Sequence, residues 1–329
     1  STCKPNIFSC RIINNQAVDR GGAIYMQAVG GPSSNFVPVI EKCVISGNQA
    51  GYIGGGIMMD GSYGRIDPEV TNCLISGNKT NSHGGGIGAM SYFSGYISAT
   101  ISGTTIAGNS AGESGGGLAS LAASSGNSRF DLKNSIIWGN SRKGLQIKQS
   151  YVTINFYNVN IEDCGGYYNW NTNLGARPSS SYSTLDARPL FVALPDTLSA
   201  PTVSGDFHLS DSSPCIGVGS GGIEDITGVV RPANSDFGAY ENPGSEKLHH
   251  LRVNSTVSGS IHNGISWATA FSNPEDALRA AVAGDTIWVA GGTYYPDEGY
   301  GYSNNDRSAT FNFRAEAMLY GGFDGTENS

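Results

Sequence analysis

Cys43-Val44-Ile45-Ser46-Gly47-Asn48 and Cys73-Leu74-Ile75-Ser76-Gly77-Asn78 are near copies of one another, and the pattern runs on in both directions. Cys10-Arg11-Ile12-Ile13-Asn14-Asn15 precedes them; Thr104-Thr105-Ile106-Ala107-Gly108-Asn109 and Ser135-Ile136-Ile137-Trp138-Gly139-Asn140 follow. The final Asn returns after 33, 30, 31 and 31 residues. A second motif trails the first in fixed order: Gly21-Gly22-Ala23-Ile24, Gly54-Gly55-Gly56-Ile57, Gly84-Gly85-Gly86-Ile87 and Gly115-Gly116-Gly117-Leu118. In the fifth unit it is worn down to Gly144-Leu145.

Units of this length hold short β runs separated by turns. None can bury an apolar face alone, so neighbours must stack, with parallel strands about 4.8 Å apart. The pattern therefore predicts an all-β, right-handed parallel β-helix in which equivalent positions form columns. The Ile of each copy belongs to the core. Asn15, Asn48, Asn78, Asn109 and Asn140 are expected at a turn, where Asn tolerates left-handed angles and its amide can hydrogen-bond along the column. The glycine cluster suits a bend too crowded for a Cβ. Cys10, Cys43 and Cys73 share one position with Thr104 and Ser135, which reads as a column of small buried residues. Three thiols in line cannot all pair. Spacing permits a disulfide between two of them, but parallel Cβ directions oppose it. No His accompanies them, so a zinc site is not indicated. The pairing of Cys3, Cys164 and Cys215 stays open.

Composition agrees. Of 329 residues 47 are Gly, and charged residues make up only 14%, which disfavours a helical bundle. Hydrophobic content of 39% is too high for disorder. The net charge of −8, without a basic run, argues against nucleic-acid binding. No apolar stretch is long enough to span a bilayer. The start at Ser1 reads as a mature or excised piece, and few Lys with many Asn, Ser, Thr and Tyr suggest a secreted or cell-surface location.

Over roughly residues 1–150 the paired motifs resemble the repeat of polymorphic outer-membrane proteins. The later run Asp206-Phe207-His208-Leu209, Ser213-Pro214-Cys215-Ile216-Gly217, Asp225-Ile226-Thr227-Gly228, Arg231-Pro232 and Asp236-Phe237-Gly238-Ala239-Tyr240-Glu241 resembles the closing segment of bacterial β-helix proteins of the choice-of-anchor Q type. Residues 246–329 resemble that family's opening. They contain Asn263-Gly264-Ile265-Ser266-Trp267 and the strand Thr286-Ile287-Trp288-Val289-Ala290. Between these a short capping helix is expected near 274–283, with Asn273 as cap, Pro274 in the first turn, Glu275 and Asp276 complementing the dipole, and Gly284 as stop. The expected domains are thus 1–245, coils and closing segment, and 246–329, the opening of a following or permuted module. The resemblance implies a bacterial adhesin or surface filament whose partners are neighbouring modules or copies end to end.

Enzymes that cleave polysaccharides also use this fold, so a lyase or hydrolase is the rival reading, as is a carbohydrate-binding solenoid. No clustered acids on adjacent coils stand out in the sequence. Asp60, Arg65, Asp67 and Glu69 read as solvated loop charges, and Asp206 with His208 as structural. His83 shows no partner in sequence, and no catalytic, metal or cofactor motif appears. Tyr167, Tyr168 and Trp170, and Tyr294, Tyr295, Tyr300 and Tyr302, form two aromatic loops suited either to packing between modules or to contact with surface glycans.

Overall fold

The computed structural model describes the chain apart from residues 1, 123–125, 149–150, 166–170, 172–173, 175–179, 223, 243–249, 259–261, 263, 265, 282–285, 299–305, 314–316 and 328–329. It divides into two compact units. Ser1–Asp186, Val192–His208 and Gly217–Glu241 make the first; Ala187–Phe191, Leu209–Ile216 and Asn242–Ser329 make the second.

The first unit is a parallel β-solenoid. Ile12 pairs with Ile45, Ile45 with Ile75, and the column continues through Ile106, Ile137 and Ile161. The windings contribute strands to four such columns, the first four windings to all of them. One contains Asn6–Phe8, Val39–Glu41, Glu69–Thr71 and Tyr96–Ser102. The next contains Arg11–Ile13, Val44–Ser46, Leu74–Ser76 and Thr105–Ala107. A short one holds Gln16–Ala17, Gln49–Ala50, Lys79–Thr80 and Ser110–Ala111. The last holds Ile24–Phe36, Ile57–Ile66, Ile87–Ser91, Leu118–Ala122 and Leu145–Lys148. Side chains alternate across each strand, so one set points inward. Ile40, Val70, Ile101, Leu132 and Phe156 form one fully buried stack, and Ile57, Ile87, Leu118 and Leu145 another. Each such side chain stabilises the fold by about 1.5–3 kcal/mol relative to exposure.

Left-handed residues turn the corners, and here the structure corrects the sequence reading. The left-handed position is the residue before each ladder Asn: Asn14, Gly47, Gly77, Gly108 and Gly139 have φ between 56° and 67°. The ladder Asn itself is not left-handed. Its recurrence reflects hydrogen bonding, and the preceding residue, Gly in four windings and Asn14 in the first, carries the bend. The glycine cluster behaves as its crowding requires: a Cβ on Gly55 would lie 2.4 Å from the carbonyl oxygens of both Gly85 and Lys79.

Residues 194–203, ahead of the expected closing segment, run back along the flank of the solenoid. Leu194 lies over Gly139, Pro195 over Gly108, Thr202 over Gly77 and Val203 over Gly47, against the order of the coils. Thr202 N donates to Gly77 O at 2.9 Å, and Ser46 Oγ donates to Thr202 O at 3.2 Å. A second pass lies on the neighbouring corner. Gly238 N donates to Asn134 O at 2.8 Å, Ala239 N to Thr105 Oγ1 at 2.9 Å, and Lys42 pairs with Glu224. The physical reason is apolar surface. Leu74, Ile136 and Trp138 belong to the outward set of the second column, yet all are buried, Ile136 directly beside Gly238.

In the second unit His250–Val253, Thr286–Ala290 and Met318–Phe323 form a parallel sheet, with Leu251 paired to Ile287 and Ile287 to Leu319. Leu251, Val253, Phe271, Leu278, Ile287 and Val289 build its core with Leu190. The helix spans Pro274–Ala280, and the Asn273 side chain caps it by accepting from Glu275 N at 2.8 Å. Residue 284, the expected stop, lies outside the described residues. Every residue of this helix is buried. Glu275, read from sequence as a dipole charge, accepts from Asn312 N at 3.0 Å and Asn312 Nδ2 at 3.3 Å.

Candidate functional site

The Asn column is one continuous hydrogen-bonded ladder. Asn15, Asn48, Asn78 and Asn109 each donate from Nδ2 to the next Asn Oδ1, at 3.0, 2.9, 2.9 and 2.9 Å. The same oxygen accepts the backbone N–H of the preceding ladder residue at 2.9–3.0 Å. Asn48, Asn78 and Asn109 are fully buried, so these bonds form out of water, where leaving them unmade is costly.

Next to it, Cys10 N donates to Cys43 Sγ and Cys43 N to Cys73 Sγ; Thr104 and Ser135 continue the pattern through their hydroxyls. All six cysteines are free thiols. Cys43, Cys73, Cys164 and Cys215 are buried, whereas Cys10 is exposed, because its coil has a described neighbour on one side only. Burial pushes the Cys73 thiol well up, because a thiolate is disfavoured where the side chain is fully out of water.

Two sequence readings of polar residues need correction. Asp60 is 1% exposed and sits on the strand Ile57–Ile66, not in a solvated loop. Its Oδ2 accepts from Tyr25 Oη at 2.8 Å, Arg20 Nη1 at 3.3 Å and Gln27 Nε2 at 3.4 Å, and its Oδ1 from Ser62 N at 2.9 Å. Burial, and then the bond to Asp60, push the Tyr25 hydroxyl up to about 12. The partners lie 33–40 residues earlier and meet Asp60 only through stacking. The signal available in sequence was register: Gln27 and Asp60 are paired residues. His83 likewise has partners, with Ser114 Oγ at 2.8 Å from Nδ1 and Glu113 Oε2 at 3.2 Å from Nε2. Arg65 and Glu69 also lie on strands, Ile57–Ile66 and Glu69–Thr71, and not in one loop; Arg65 pairs with Asp67 at 2.8 Å and Glu69 with Lys4 at 3.8 Å near the surface.

Asp206 and His208 do share a strand face, 2.6 Å apart, and the His208 ring lies 4.0 Å from that of Tyr240. A groove of about 250 Å³ lies between the corner residues Lys42, Asn72, Gly103 and Asn134 and the returning residues Glu224 and Arg231. Arg231 is buried and paired to Glu241 at 2.8 Å, and burial, then Asp236, push the Glu241 carboxyl up to about 6. Of the aromatic loops, Tyr167, Tyr168, Trp170, Tyr300 and Tyr302 lie outside the described residues. Tyr294 packs on the second core and donates to Ala290 O at 2.9 Å, while the Tyr295 ring is exposed.

Among the described residues no group of three His, Cys, Asp or Glu side chains is placed to hold a metal ion, and no helix is long and apolar enough to cross a membrane. Compared with known families and with curated proteins, the chain matches none of them.

Proposed function

We propose that the chain is a non-catalytic, extracellular structural or adhesive solenoid, a repeat of a tandem-module bacterial surface protein or fibre, akin to the choice-of-anchor Q and polymorphic outer-membrane proteins its motifs resemble. The observation that carries this reading is the in-register stacking of the first unit, in which each winding is a template for the next: Ile12, Ile45, Ile75, Ile106 and Ile137 pair in one column. Among the described residues Asn6–Phe8, Arg11–Ile13 and Gln16–Ala17 pair on one side only, and so does Met318–Phe323. Apolar side chains stand exposed there: Phe8 at 56%, Met318 at 51% and Tyr320 at 47%. Unpaired edges of this kind template further strands. In the proposed fibre a coil of an adjoining module or of a second copy stacks on these strands.

The test is assembly. Sedimentation and negative-stain microscopy should show end-to-end rods that grow with concentration, and Leu319→Pro, which blocks the edge, should shorten them while circular dichroism stays unchanged. A strictly monomeric chain that also fails to stack on a tandem neighbour overturns the reading. Turnover of polysaccharide would favour the lyase or hydrolase alternative.

A further inference from the structure

Besides its ends, the first unit carries a built lateral face that the stacking role does not use. Its floor is apolar: Ile53, Met58 and Met90 are buried on the outer side of the fourth strand column, with Tyr92 and Leu121 packed on them. Beside that floor lies the Asp60 hub, which fixes Tyr25, Arg20 and Gln27 from the neighbouring coil. A buried carboxylate with donors on both oxygens holds these side chains in one arrangement before any ligand arrives. Asp60 is itself too buried to touch a ligand. The groups it holds are not: the Tyr25 side chain is 45% exposed and Gln27 is exposed. Tyr52 (39%), Tyr63 (56%) and Phe93 (64%) complete an aromatic rim from adjacent coils, with Tyr63 and Phe93 stacked at 5.5 Å.

Apolar floor, exposed rings and fixed amide and phenol groups match a ligand with alternating C–H and hydroxyl surface. Charge narrows the class. Asp19 and Asp60 lie 3.2 and 3.3 Å from the Arg20 guanidinium and already match it, so a polyanion gains little at this cation. We propose that this face is a binding site for a neutral polysaccharide, in which Tyr25 and Gln27, positioned by Asp60, bond its hydroxyls and Tyr52 and Phe93 pack against its rings. The site gives the adhesive reading a substrate class but does not depend on edge stacking: a monomer that binds glycan would remove the stacking claim and leave this one standing.

The experiment is affinity electrophoresis of the whole chain through gels containing soluble β-glucan, xylan or galactomannan, with polygalacturonate and heparin as acidic comparators. Calorimetry with the matching oligosaccharide follows. At least one neutral polymer should retard the protein. Tyr52→Ala and Phe93→Ala, both at exposed positions, should each weaken binding by about tenfold. Gln27→Ala should weaken it by a few-fold, and Tyr151→Ala, an exposed tyrosine outside this face, should leave it unchanged. All four should keep the wild-type melting temperature. No retardation by any neutral polymer, retardation by the acidic polymers alone, or binding indifferent to Tyr52→Ala and Phe93→Ala would each overturn the proposal.

Discussion

Replacing Asn78 by Ala removes the centre of the Asn ladder, and the structure sets the size of the effect. Asn78 Nδ2 donates to Ile45 O and Asn109 Oδ1, both at 2.9 Å, and Asn78 Oδ1 accepts from Asn48 N and Asn48 Nδ2, also at 2.9 Å. After truncation Asn48 Nδ2 keeps Ile12 O and Ser46 O, and Asn109 Oδ1 keeps Asn78 N. The Asn48 amide, however, loses the Asn78 oxygen inside a fully buried corner. An orphaned buried N–H costs about 1–3 kcal/mol, and three further hydrogen bonds contribute about 0.5–1.5 kcal/mol each. The expected loss is about 4 kcal/mol, or a melting point lower by about 10 °C. Asn15→Ala is the internal control. That side chain is exposed at the open edge, and Asn15 N keeps its bond to Asn48, so the cost should stay below about 1 kcal/mol. Urea unfolding followed by circular dichroism reads both. Equal losses for the two variants, or a loss below about 1 kcal/mol for Asn78→Ala, would refute a buried, load-sharing ladder.

Three further outcomes are expected. Gly77→Ala should both destabilise the protein and expose residues 194–203 to proteolysis, because φ is 59° and the new Cβ would lie 2.0 Å from Thr202 O; Gly31→Ala, with φ 80° and open space around it, should cost only the backbone strain of about 1 kcal/mol. Brief maleimide labelling read by mass spectrometry should modify Cys3 and Cys10 quickly and the four buried thiols only on unfolding. Glu241, raised to about 6, binds its proton more tightly folded than unfolded, so its contribution to stability is greatest below the ordinary carboxylate value of 4.5 and is lost as pH rises through 6. The wild type should therefore lose about 1–2 kcal/mol across that window, and Glu241→Gln should flatten the slope in pH-resolved unfolding.

Periodicity made the solenoid legible. The Ile, Asn and Gly columns follow from a repeat in which one winding equals one period, and Asn48 over Asn78 needs nothing else. What the period could not convey is contact made across it by unlike residues. Asp60 was misjudged because its charged neighbours in sequence, Arg65 and Asp67, pair with each other, while Tyr25, Arg20 and Gln27 arrive from another coil. His83 escaped for the same reason, with Glu113 and Ser114 one winding later. The return of residues 194–203 along the Gly corners was also hidden, since that segment carries no repeat. Its trace lay in the corners themselves, where the glycines that turn the chain also leave room for Pro195 and Thr202.

Equivalent residues of successive windings should climb one axis at about 4.8 Å per step. With Cys3 and Cys10 changed to Ser, spin labels at Tyr52 and Glu113, each paired with one at Asp19, should report backbone separations of about 5 and 14 Å for one and three coils. Distances that fail to rise in that order, or that jump by tens of ångströms between neighbouring windings, would contradict the stacked solenoid and every functional statement built on it.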